Sequence, residues 1–135
     1  MTDISDLKEL ADKDGIAVDY ISCPECGSMS LLLDGNCYIG IDKGAESDKE
    51  LVCFAHELGH CETGSFYNRY SKFDVISKHE YKADKWAVQR LMPVDELLSA
   101  VDKGYTEAWE LSEYFGVTED FVRRAYEIYT AMGVL

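Results

Sequence analysis

Positive charge is scarce in this chain. Thirteen lysines and arginines face 26 aspartates and glutamates, a formal net charge of −13. Such a surface repels phosphate, which argues against direct nucleic-acid binding and against an anionic membrane, and suits a basic protein partner. No stretch approaches the roughly 18 uninterrupted apolar residues of a membrane span. The opening residues (MTDISDLKEL) lack the basic-then-apolar profile of a secretory leader, so a cytoplasmic protein is expected. Cysteines number only five. A reducing compartment would keep them as thiols, and no disulfide framework is expected. Repeats, low-complexity tracts and linkers are missing too. The 135 residues are enough for one domain with a real core and short for two.

Periodicity divides the chain into an α+β pattern. Residues 2–14 read as a helix, with Leu7, Leu10 and Ala11 at helical spacing and Gly15 as its stop. Ile16 to Ile21, Ser28 to Leu33 and Cys37 to Asp42 read as strands, the last two joined by an Asp34-Gly35-Asn36 turn. A small three-stranded sheet, mainly antiparallel, is expected. Ser47-x-x-Glu50 is spaced as a capping box to begin a long helix, and Gly64 is placed to end it. An irregular, aromatic-rich connection should occupy Phe66 to Ser77, with the next helix running from Ser77 to Met92-Pro93. Two or three shorter helices fill 94–132. Residues 1–135 are read as a single domain, with a catalytic core in 1–93 and a C-terminal helical subregion in 94–135.

The densest chemistry lies in LVCFAHELGH, Leu51 to His60. His56 and His60 are four apart, one above the other on one helix face, where two imidazoles can share a metal ion. Glu57 is rotated roughly 100° from His56 and roughly 60° from His60, so it flanks the pair. It can reach a water beside the metal better than the metal itself. Leu51, Phe54, Ala55 and Leu58 cover the opposite side, which predicts a buried helix whose polar groups need partners. Two ligands, an open position and an adjacent base are what a zinc hydrolase requires.

A third ligand is sought in HEYKADKWAVQRL. Glu80 and Asp84 fall on the apolar stripe formed by Ala83, Ala87, Val88 and Leu91, where ionised groups are costly unless paired or on a metal. Glu80 as ligand, with Asp84 orienting a ligand histidine, satisfies both charges. His79 is a rival ligand, and Ser77 with Glu80 also fits a capping box that would use Glu80 without any metal. Glu80 is the preferred ligand.

HELGHCETGSFYN followed by HEYKADKWAVQRLMP resembles the ImmA/IrrE-type metallopeptidases, many of them encoded on prophages and integrative elements. The likeness covers roughly Cys37 to Pro93 and extends more loosely beyond. It implies a small zincin-like domain, mostly helical, with the sheet packed on the motif helix. It further implies Zn2+ held by His56, His60 and Glu80, with Glu57 catalytic. The substrate class implied is a helix-turn-helix repressor of a prophage or mobile element. The alternative is a non-catalytic antirepressor, binding its partner while a zinc ion serves structure. An intact Glu57 speaks against that, because a structural site has no use for a base beside an open position.

An oxyanion donor is sought among Tyr67, Tyr70, His79 and Tyr81, with a preference for Tyr67. A bound peptide is expected to pair with an exposed sheet edge, Cys37 to Asp42 foremost. Cys23-Pro-Glu-Cys26 looks like half of a zinc ribbon whose other half is missing, and reads as a turn with free thiols. Cys53 lies on the metal-facing arc as a small buried residue, and Cys61 is turned away from the histidines. Glu107 to Glu127 has helix-turn-helix rhythm. Its second helix opens on Glu119-Asp120, and residues from Val94 onward carry nine acidic against three basic side chains. That pair of helices is read as structural or partner-docking rather than as a DNA reader.

Overall fold

A computed structural model describes residues 1–68 and 70–135. The elements are α1 (Ile4–Lys13), β1 (Ala17–Ile21), β2 (Ser28–Leu33), β3 (Asn36–Asp42), α2 (Ser47–Thr63), α3 (Phe73–Leu91), α4 (Val94–Asp102), α5 (Ala108–Phe115) and α6 (Glu119–Ala131). This is an α+β domain with one small sheet. Among the described residues no helix is long and apolar enough to cross a membrane.

Local chemistry explains the element ends. Asp3 and Asp6 exchange side-chain-to-backbone hydrogen bonds of 3.0 and 2.9 Å and start α1, which buries Leu7 and Ala11. Asp34 and Gly35 both have left-handed φ (53° and 79°), as a two-residue hairpin loop requires, and they set β2 antiparallel to β3 with Leu33 opposite Asn36. The sheet is mixed. Its order is β1-β3-β2, and β1 runs parallel to β3, with Ala17 opposite Tyr38. Residues 22–27 carry the chain around the end of β3, leaving a slot that β3 later fills; alternation within each strand carries no record of that insertion. The Cys23–Cys26 turn therefore has a structural task. Cys23 N–H donates to Asp42 Oδ1 at 3.0 Å, and Asp42 N–H donates to Gly27 O at 2.9 Å.

Several expectations need correction. Because β3 is the central strand, both its edges are paired, and it cannot take a peptide; β1 and β2 are the edges. Helix α2 is preceded by Glu46, which makes no side-chain cap bond, and Ser47 lies one position inside, so the Ser47/Glu50 box does not form. Gly64 does end the helix, with φ 66°. Helix α3 begins at Phe73, a turn earlier than Ser77. Ser77 is thus an interior residue, and Glu80 is not engaged in a cap. The expectation that all cysteines stay thiols also fails: Cys37 on β3 and Cys61 on α2 are joined, Cα to Cα 6.0 Å, while Cys23, Cys26 and Cys53 are free. The two lie 24 residues apart, and only the packing of β3 on α2 brings them together.

Helix α2 is the centre of the fold. It buries Leu51, Phe54, Ala55 and Leu58, with the sheet against it and α3 beside it. The C-terminal helices complete the core. Thr118 Oγ1 accepts from Phe121 N–H at 3.2 Å and caps α6, whose Val122, Ala125, Ile128 and Tyr129 are buried. Tyr129 also donates its hydroxyl to Met92 O at 2.6 Å.

Candidate metal centre

The site exists because two helices approach closely at one point. A Cβ on Gly59 would lie 2.5 Å from Ala83 O and 3.0 Å from Ala83 Cα. With no side chain at 59 and only a methyl group at 83, the histidine face of α2 meets the carboxylate face of α3. His56 Nε2 lies 2.9 Å from Glu80 Oε2, His60 Nε2 lies 3.2 Å from Glu80 Oε1, and the two Nε2 atoms are 3.2 Å apart. Among the described residues, these three form the group close enough to hold a metal ion. His79, the rival ligand, is not part of it.

The donor set fits a cation. His60 Nδ1 lies 2.5 Å from the Ser65 carbonyl, an acceptor only, so Nδ1 carries the hydrogen. His56 Nδ1 faces Asp84 Oδ1 at 2.8 Å in the same manner. Both rings therefore turn Nε2 inward. Tetrahedral zinc with bonds of about 2.0–2.1 Å sets its ligand atoms about 3.3 Å apart, close to the three separations found. Two nitrogen lone pairs and a carboxylate converging with nothing positive between them would otherwise need an added proton.

That proton has a predictable place. Burial opposes charge on His56, but the hydrogen bonds and charges of Asp84 and Glu80 outweigh it and raise its pKa from 6.5 to about 10. Hydrogen bonds from His56 and His60 hold the Glu80 carboxyl well below the usual carboxylate range. In the metal-free protein, the stability given by charged His56 is complete below its unfolded pKa of 6.5 and is lost as pH rises through about 10. Zinc needs the neutral ring. Zinc affinity should therefore rise with pH across this window, about tenfold per unit. Calorimetry at pH 7 in buffers of different ionisation enthalpy should show about one proton released per ion. Zero release would mean that His56 is neutral in the free protein.

Around this centre the structure gathers further groups. Glu57, 6% exposed, accepts a 2.7 Å hydrogen bond from Ser28 Oγ at the start of β2. Tyr67 donates its hydroxyl to Glu80 Oε1 at 2.5 Å. That bond, with burial, pushes its pKa up to about 12, so the phenol keeps its proton. Asp84 accepts from Arg124 Nε of α6 at 3.0 Å through its second oxygen. The centre opens into a cleft of about 530 Å³, walled by Met29 and Ser30 of β2, Phe66, and Phe121 of α6. Cys53 and Cys26 also line it.

Ser28, Gly59, Phe121 and Arg124 escaped the sequence reading. Each acts on a distant part of the fold, so its partner cannot be read from neighbouring residues, even for Gly59, which lies inside the Leu51 to His60 motif. Arg124 left a trace as one of three basic residues in an acidic C-terminal stretch.

No curated protein and no solved structure matches the chain. A peptidase family model, described as the IrrE N-terminal-like domain, matches residues 15–127, a span that takes in the metal centre and most of α6. The chain belongs to the IrrE N-terminal-like peptidase family.

Proposed function

We propose that this protein is a zinc-dependent endopeptidase that cleaves a regulatory protein, a helix-turn-helix repressor of a prophage or mobile element. The observation that carries the reading is the convergence of His56, His60 and Glu80 beside buried Glu57 in an open cleft. A purely structural metal would leave both the cleft and Glu57 without a task.

His56 and His60 would hold Zn2+ through Nε2, and Glu80 through a carboxylate oxygen. The bound ion supplies Lewis acidity that polarises the scissile carbonyl and makes a nearby water easier to deprotonate. Glu57 takes the proton of the attacking water and later delivers it to the leaving amine. Ser28 holds one Glu57 oxygen, which aims the other at the water. Tyr67 keeps its phenolic proton at neutral pH and can donate a hydrogen bond to the developing oxyanion once it turns from Glu80. Of the two sheet edges, β2 borders the cleft through Ser28, Met29 and Ser30, so an extended substrate would add to β2.

The acidic charge of −13 supports a basic partner such as a DNA-binding repressor, and a repressor substrate implies a cytoplasmic role. The arginines of α6 are engaged by carboxylates: Arg123 by Glu119 and Asp120, Arg124 by Asp84 and Glu127. That supports a protein partner over an operator.

The test is incubation with the repressor encoded beside this protein, with and without a chelator, followed by mass spectrometry of fragments. Defined fragments that vanish with the chelator and return with added zinc are expected. An intact repressor in every sample would overturn the substrate, and chelator-insensitive cleavage would overturn the metal's role.

A further inference from the structure

We infer that Arg124 is a positioning residue of the metal centre: its guanidinium, reaching in from α6, holds Asp84 in the orientation that makes His56 present Nε2 to the ion. The inference rests on the metal centre proposed above, but its test needs no peptidase activity.

The two ligand histidines are supported differently. His60 is oriented by the Ser65 backbone carbonyl, which has little freedom to move. His56 is oriented only by a side chain, Asp84, through Oδ1 at 2.8 Å. Asp84 sits on the apolar stripe of α3, about three-quarters buried (side chain 26% exposed). There a lone carboxylate is costly and would gain by rotating outward to water. Arg124 counters this, donating Nε–H to Oδ2 at 3.0 Å. With Oδ2 occupied, Oδ1 is left for the imidazole.

Arg124 is itself held in place. Its Nη1 donates to Glu127 Oε2 at 3.0 Å, and its guanidinium carbon lies 5.7 Å from the centre of the Tyr81 ring. Tyr81 follows Glu80 directly on α3. A planar fork clamped on two carboxylates and a ring is a fixed donor, which lysine cannot reproduce. Nor is Arg124 required to dock α6, since the buried faces of Val122, Ala125, Ile128 and Tyr129 and the Tyr129–Met92 hydrogen bond do that. Two tasks are thus separable on one helix: apolar residues fasten it, and Arg124 reaches the centre.

The experiment measures Zn2+ affinity by chelator competition, and the visible spectrum of the Co2+ form, in the full chain. R124Q should weaken zinc binding about tenfold, the order found when groups supporting a metal ligand are removed, and should shift the Co2+ bands while melting changes little. R124K should fall between R124Q and the unaltered protein. R123Q, one residue away and paired only with exposed carboxylates, should match the unaltered protein. Because Arg124 acts through Asp84, R124Q should cost nothing further in a D84N background.

Affinity and spectrum unchanged in R124Q would overturn the inference, as would losses that multiply in the double variant. If R124Q does not fold, R124M, which keeps the apolar stem, takes its place with the same outcomes. Failure of both to fold makes Arg124 a structural residue and also overturns it. An unaltered protein that binds neither ion would sink the metal centre itself, a result distinct from all of these.

Discussion

Glu57→Gln should retain zinc and lose roughly 10²–10⁴-fold in cleavage of a repressor substrate, the range a positioned general base contributes. Glutamine keeps the size of the side chain and can still pair with Ser28, whose hydroxyl lies 2.7 Å from the carboxylate. It cannot accept the proton of the attacking water. Because Glu57 is not among the groups converging as ligands, metal content by elemental analysis should stay at that of the unaltered protein. Rates read from fragment appearance by mass spectrometry then isolate the proton-transfer step. Undiminished cleavage would remove Glu57 from the mechanism, and loss of zinc together with activity would make it a ligand instead.

Gly59→Ala should be the most damaging single methyl group in the chain. The new Cβ would stand 2.5 Å from Ala83 O and 3.0 Å from Ala83 Cα, and backbone cannot swing aside as a flexible side chain can. Overpacking of this kind costs about 1–3 kcal/mol, and the stress falls between the helix bearing His56 and His60 and the helix bearing Glu80. Urea denaturation should show that loss, and zinc affinity should fall with it as the helices part. Gly64→Ala is a useful contrast. Nothing lies within 4 Å of a Cβ there, and only the left-handed φ of 66° resists the change, by about 1 kcal/mol. Equal stability of G59A and the unaltered protein would mean that the α2–α3 approach is looser than described.

The readable parts of this protein are the local ones. The spacing of His56, Glu57 and His60 sets three side chains on one helix through a rotation that chemistry fixes in advance. Glu80 and Asp84 stood out because carboxylates on an apolar stripe need a reason to be there. The helix-turn-helix rhythm of Glu107 to Glu127 was legible for the same local reasons, since Gly116 with φ 71° ends α5 and Thr118 caps α6. Helix starts were less legible: Glu46 and Lys72 precede α2 and α3 without any side-chain cap bond, so an attractive serine spacing pointed to the wrong residue in both. What could not be read depended on distant segments meeting. Ser28 reaches Glu57 from 29 residues away and Arg124 reaches Asp84 from 40, and the slot that β3 fills between its neighbours is a property of the whole sheet.

Helix α6 carries a last consequence. It supplies Arg124 to Asp84, Phe121 to the cleft wall and Tyr129 to the carbonyl at the end of α3. The segment up to Pro93 consequently holds His56, His60 and Glu80, the group able to take a metal ion, without holding the residues that complete their surroundings. A premature stop codon or frameshift anywhere before α6 would yield a polypeptide with its core laid open, a target for quality-control proteolysis, and such alleles should behave as complete nulls.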